Sequence, residues 1–367
     1  MDNRKPKIAT IAFHRAINYG ALLQVYALQK KVEELGGKCT VLDYRNDLLE
    51  DRHKKMEFSN CKRIKDYIRF IFLSKNYNNK FDAFRNFSKE YLNLSKPYFN
   101  AENLMDDINN YDKFITGSDQ VWNDSITDTD AVYFLDFVKD IAKKNSYAAS
   151  FGFREIPQRN EARYYNMLRN YNYMSVREKQ GAQIIKRLLD KDVPVVLDPT
   201  LLVTKEKWFK LADGYTKYKN YILIYGFGSS NNLIEFARNL SKKTGYKIIH
   251  IANPYFRKIG FTYERAVDPK GFLGLFKNAK YIITNSFHGT AFSINFNKEF
   301  FTEMLPESLG VNSRLEDILD LFDLRDRQIL GTDIAMFANK INYSKVNKIL
   351  KAERKKSIEF LEKIINS

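Results

Sequence analysis

At 367 residues the chain is too long for one ordinary domain and suits two. Apolar residues make up 44% and charged residues 28%, a globular balance that excludes disorder as the default. The formal net charge of +16 raises the local concentration of anions, so nucleic acid, anionic lipid and phosphorylated small molecules all enter as candidate partners. Two cysteines, Cys39 and Cys61, and four scattered histidines make neither a disulfide framework nor a zinc-type pair. Apolar runs such as residues 70–73 are far too short to span a bilayer, and the start carries no secretory signal. A cytoplasmic protein with no metal requirement is expected.

Residues 7–13 read as a strand. Gly20 opens a helix with an apolar face of Leu22, Val25, Leu28, Val32 and Leu35, ended by Gly36 and Gly37. Residues 39–43 are a second strand, which completes a β-α-β unit with a right-handed crossover. Residues 52–80 break this rhythm with nine Lys or Arg against two acids. Residues 62–75 read as a basic amphipathic helix and residues 81–91 as a second one. Strands are then expected at 113–116, 145–151, 173–176 and 195–197, with helices at 161–168 and 178–189.

The pattern is interrupted near residues 198–215, and the α/β rhythm resumes with strands at 221–225, 247–251, 281–284 and 300–302. Helices alternate with them at 233–243, after Gly271 and at 289–296. A final helix at 344–365 carries seven basic residues and three acids. The expected fold is therefore α/β, with two Rossmann-like lobes facing a cleft. Residues 1–200 form one lobe with a basic helical insertion at 52–92, and residues 201–367 the other with the C-terminal helix. Ligands of such sheets bind outside the carboxyl ends of the strands, so the strand-end loops carry the chemistry.

Four loops qualify. In AINYGAL, Gly20 sits where a helix begins; its free N–H groups suit an anion or a sugar hydroxyl, and a tight turn explains the glycine equally well. In ITGSDQVWN, Ser118, Asp119, Trp122 and Asn123 combine hydrogen-bonding groups with an indole that could stack on a sugar. In MSVREKQG, Arg177 offers a planar fork for carboxylate or phosphate, or a partner for Glu178 or Asp198. In YIITNSFHGTAF, His288 lies at a helix start among Asn285, Ser286, Gly289 and Thr290, placed to move protons beside a bound anion. Of the other histidines, His14 is a second cleft candidate, His250 reads as core and His53 as part of an exposed basic stretch.

Together NYGALLQ, GSDQVWN, SYAASFG, SVRE, LDPTLL and TNSFHGTAFS, in this order over residues 7–300, resemble the polysaccharide pyruvyl transferase family. The resemblance implies a GT-B-like fold and transfer of pyruvate from phosphoenolpyruvate to a sugar of a surface or capsular polysaccharide precursor, commonly as a ketal across two hydroxyls. It implies no cofactor, phosphoenolpyruvate being the co-substrate. By this likeness His288 is catalytic, and Arg177, Asn285, Ser286, Gly289 and Thr290 bind phosphoenolpyruvate. Asn18, Tyr19, Gly20, Ser118, Asp119, Trp122 and Asn123 hold the acceptor, which a polyprenyl diphosphate could carry. Some family members have Arg where this chain has Ser286, so another cation is expected to serve, with Arg257, Lys258 and Arg314 as candidates. The basic helix at 62–75 suits an anionic membrane at the inner face, and an ordinary packed helix with its lysines in water fits it as well. Two rival readings are a GT-B-type glycosyltransferase using a nucleotide sugar, for which no base-and-ribose site is identified, and a non-enzymatic nucleic-acid binder. The second has the charge but no recognised motif, and no nucleic-acid partner is expected.

Overall fold

The computed structural model describes residues 4–226, 230–252, 258–307, 310, 312–333, 337 and 339–367. Two parallel five-stranded sheets organise them. The first has the order β3-β2-β1-β4-β5, from Leu94–Tyr98, Lys38–Tyr44, Lys7–Ile11, Lys113–Thr116 and Lys144–Ser146. The second has the order β10-β9-β6-β7-β8, from Glu299–Thr302, Tyr281–Thr284, Tyr221–Tyr225, Lys247–Ile251 and Phe261–Glu264. Central strands such as YILIY and YIIT are buried along their whole length, because helices cover both faces of a parallel sheet.

The strand orders locate the cleft. In the first sheet β1 pairs with β2 on one side and β4 on the other; in the second, β6 pairs with β7 and β9. The direction of winding across each sheet reverses between β1 and β4 and between β6 and β9, all strands remaining parallel, and each switch opens a crevice at the carboxyl ends. The loops after β1, β4 and β9 are those holding Asn18–Gly20, Ser118–Asn123 and Asn285–Gly289.

Three expectations change. Residues 62–91 are not two helices but one, Ile64–Tyr91, since no Gly or Pro interrupts the polar stretch at 76–80. The strands expected at 173–176 and 195–197 shrink to single parallel bridges, Ala149 to Val176 and Val176 to Val195. The C-terminal helix, Tyr343–Asn366, does not stay with the second lobe. Its Ser357 hydroxyl accepts from the Leu197 amide at 3.0 Å, and Arg354 reaches both the Leu201 carbonyl at 2.5 Å and Asn295 at 2.7 Å. It therefore straps the two lobes together.

Tyr19 makes the same connection from the first lobe. Its ring stacks on Phe272 with centroids 4.4 Å apart, and its hydroxyl donates to the Val267 carbonyl at 2.6 Å. The cleft walls are thus held by buried aromatic contacts that are costly to break.

Candidate active site

Helix Phe287–Asn295 begins at the end of β9, where the Ser286 side chain caps it by accepting from the Gly289 amide. The cap leaves the first-turn N–H groups facing the cleft. His288, on that first turn, meets helix Tyr19–Glu34 at Gly20. A Cβ at position 20 would lie 2.1 Å from Nδ1 of His288, so only glycine leaves room for the imidazole. This contact across the cleft, more than backbone shape, accounts for the glycine in AINYGAL.

Nε2 of His288 lies 3.5 Å from Oδ2 of Asp198, in ion-pair range and beyond a well-formed hydrogen bond. The same carboxylate oxygen accepts from Ser118 Oγ at 2.8 Å and Arg177 Nη1 at 3.0 Å. Its other oxygen accepts from the amide and hydroxyl of Thr200 at 2.9 and 2.7 Å, which caps helix Pro199–Leu202. Burial opposes the charge on Asp198, yet His288 and Arg177 together hold its carboxyl well below the usual carboxylate range.

Arg177 is the hub of this network. It reaches Asp119 at 3.4 Å and Glu178 at 3.8 Å, and its guanidinium lies 4.5 Å from the centre of the Phe287 ring. Burial acts to lower its pKa, and the carboxylates of Asp119, Asp198 and Glu178 overcome this and raise it. Asp119 reaches Arg177 from a left-handed backbone, φ 78°, which costs energy for a residue with a Cβ and is tolerated by Asp better than by bulky residues. Burial pushes the Glu178 carboxyl up despite Arg177 and Arg314.

A cavity of about 340 Å³ opens beside the network, of the size of small-molecule sites. Asn18, Asp119, Asn285, Ser286, His288 and Arg314 line it, as do Gln120, Arg52 and His53. A second cavity of about 160 Å³ lies on the far side of Arg314, bounded by Arg177, Asp198 and Phe287. Arg314 lines both, and its Nε is buried without a hydrogen bond among the described residues. Burial and the like charge of Arg177 bring its pKa down to about 10, which leaves it a cation at neutral pH.

Several expected site residues serve the framework instead. Trp122 is fully buried, its indole packed among Phe134, Phe151 and Tyr171, so no face is open to a sugar. Tyr19 is committed to the second lobe as described above. Asn123 caps helix Asp124–Thr127, accepting from the Ser125 amide at 3.0 Å. Ser118 is buried behind Asp198, and Thr290 is buried with its hydroxyl on that of Thr302 at 3.2 Å. Gly289 packs against the Thr284 side chain. His14 is buried on Asp43, with Nε2 and Oδ1 3.0 Å apart, and does not line the cavity. His250 is buried within β7. His53 departs most from its reading: it lines the cavity, and burial with the Arg85 charge pushes it down to about 4. Of the three candidate cations, Arg257 lies outside the described residues, Lys258 is exposed and Arg314 faces the cavity.

Asp198 was legible only as a partner of Arg177. Its setting in Asp-Pro-Thr reads as a helix cap, which it is; its position at a strand's carboxyl end was the signal for a second role. Among the described residues no cluster of three His, Cys, Asp or Glu side chains is arranged to hold a metal ion.

Two parallel sheets facing a cleft, strapped by a C-terminal helix, define a GT-B-like two-lobed fold. Solved structures share it: the UDP-GlcNAc 2-epimerase from Neisseria meningitidis bound to UDP-GlcNAc is 12% identical, with TM-score 0.53 over 97% of this chain and 100% of that one. A glycosyltransferase involved in avilamycin A biosynthesis is 10% identical, with TM-score 0.52 over 98% and 97%. MnaA of S. aureus with UDP is 13% identical, with TM-score 0.50 over 94% and 87%. At these identities the likeness establishes the fold alone. No curated protein matches the chain. The sequence profile of the polysaccharide pyruvyl transferase family matches residues 18–302, and the chain belongs to that family.

Proposed function

We propose that this protein transfers pyruvate from phosphoenolpyruvate to two hydroxyls of a sugar, with His288 moving protons and Arg314 holding the donor's negative charge. The observation that carries the reading is the cavity itself. It joins a helix N-terminus, a histidine and an incompletely bonded arginine, as a doubly anionic donor that must be protonated requires.

The chemistry balances as follows. One acceptor hydroxyl adds to the enol carbon of phosphoenolpyruvate, its O–H bond breaking and its proton passing to the phosphate, while the methylene gains a proton from His288 and becomes a methyl. The second hydroxyl then displaces inorganic phosphate and closes the ketal, releasing its own proton. His288 supplies the first proton and accepts a later one, with the Asp198 carboxylate 3.5 Å away. Arg177, already surrounded by carboxylates, holds Asp198 and Asp119 in place more than it contacts substrate. Asn18, Asp119 and Gln120 on the opposite wall are available to the acceptor's hydroxyls.

Titration of the protein with phosphoenolpyruvate by calorimetry tests the donor assignment. Saturable binding is expected, weakened about 10- to 100-fold by Arg314→Leu, the loss of a hydrogen bond to a charged group. Absence of any binding to the wild-type protein would remove phosphoenolpyruvate as donor.

Gly20→Ala offers a geometric check. The added methyl occupies the space of the imidazole and pushes His288 off its position. Turnover should fall about 100-fold, as for a misplaced catalytic group, with phosphoenolpyruvate binding largely retained. Unchanged turnover would mean that the position of His288 is immaterial.

A further inference from the structure

The first half of helix Ile64–Tyr91 carries an apolar stripe that nothing among the described residues covers. Ile64, Ile68, Ile71 and Phe72 are spaced i, i+4, i+7 and i+8, which puts them on one face. All four are exposed, Ile64 at 81%, Ile71 at 70% and Phe72 at 66%, and the exposed Phe58 packs nearby on Tyr67 and Phe70 of the same helix. A soluble surface scatters such side chains singly; a contiguous stripe marks a contact.

The stripe is set among cations. Lys62, Arg63, Lys65, Arg69 and Lys75 surround it, and residues 52–80 hold nine Lys or Arg against two acids. We infer that this face docks on an anionic lipid surface, the stripe entering the boundary between headgroups and acyl chains while the lysines and arginines meet the headgroups. Charge decides the occupant. A second copy of the chain would bring two strongly basic faces together, at a repulsive cost. A nucleic-acid backbone would satisfy the cations and leave the isoleucines uncovered. An anionic bilayer satisfies both, as basic amphipathic helices do when they lie in the interface. No helix among the described residues is long and apolar enough to cross a membrane, so the contact is peripheral.

The placement is informative. Arg52 lines both the cleft cavity and a depression bounded by Met56, Cys61, Asp66 and Arg69 at the foot of this helix. Asp66 and Arg69 stand on the face of the helix opposite Ile64, Ile68 and Ile71, so the stripe is turned away from that depression. The inference does not depend on which reaction the cleft performs.

Co-sedimentation with phosphatidylcholine vesicles, with and without phosphatidylglycerol, tests it. The wild-type protein should bind the phosphatidylglycerol vesicles at low salt, release on raising salt, and leave the pure phosphatidylcholine vesicles in solution. Ile68→Glu with Ile71→Glu should weaken binding at least about tenfold. Lys355→Glu, an equal change of charge on the exposed face of the C-terminal helix, should change it little, and all variants should melt together because the altered side chains are exposed. No binding to anionic vesicles at low salt, or equal loss in Lys355→Glu, would overturn the docking face. So would a wild-type dimer that the double glutamate variant abolishes.

Discussion

His288→Ala should lower the rate of transfer about 100- to 10,000-fold, the usual contribution of a single general acid–base group, while leaving the protein folded. The fold should survive because among the described residues His288 makes no well-formed side-chain hydrogen bond, the Asp198 carboxylate lying 3.5 Å away. The measurement is turnover alongside a thermal melt. A melt close to that of the wild type with turnover lost places the effect in the chemistry. Near-normal turnover would take His288 out of the reaction.

The largest effect on stability should come from Asp198→Ala. Asp198 is fully buried, joins Ser118, Arg177 and Thr200, and faces His288. Removing it strands the Arg177 guanidinium with one strong partner fewer, and breaking a buried pair from one side typically costs about 3–5 kcal/mol. The loss should depend on pH with a definite sign. The folded-state carboxyl lies below its unfolded value, so its contribution is complete above the unfolded pKa of about 4 and is lost as the pH falls below it. The stability gap between wild type and variant, measured by denaturant unfolding, should therefore be widest near neutrality and narrow in acid. A gap that widens in acid would mean that Asp198 is not held as a charged partner. Asp198→Asn keeps the shape and isolates the charge: it should lose turnover while recovering part of the stability.

The order of the lobes was legible because parallel strands covered on both faces are short apolar runs, as YILIY and YIIT are. The strand-end loops followed from that order, and His288, Asn285, Ser286, Asn18 and Asp119 do meet at one cavity. Aromatic side chains were misread for a physical reason. Trp122 sits among polar neighbours, which suggests a sugar platform, and the family likeness gives Tyr19 to the acceptor, but each is the large group that fills the space behind its loop. Sequence cannot show which way such a ring turns. Arg314 is one of three candidate cations that sequence cannot place, and His53 reads as exposed in sequence. Arg314 is contributed by helix Ser313–Leu321, far from every motif, and His53 follows the short helix Asp47–Arg52; only the packing of these helices brings them to the cleft. The sequence pattern divides the Ile64–Tyr91 helix because its apolar period fades at 76–80, where mostly half-buried polar side chains make contacts of their own, as Asn78 does with the Met56 backbone, without breaking the helix.

Release of inorganic phosphate from phosphoenolpyruvate, measured against a panel of sugars both free and polyprenyl-diphosphate-linked, tests the central claim most directly. The structure and the proposed chemistry predict release that requires an acceptor, matches ketal formation one for one, and disappears in His288→Ala. Wild-type protein that releases no phosphate with any acceptor, yet turns over a nucleotide sugar in the same cleft, would contradict it.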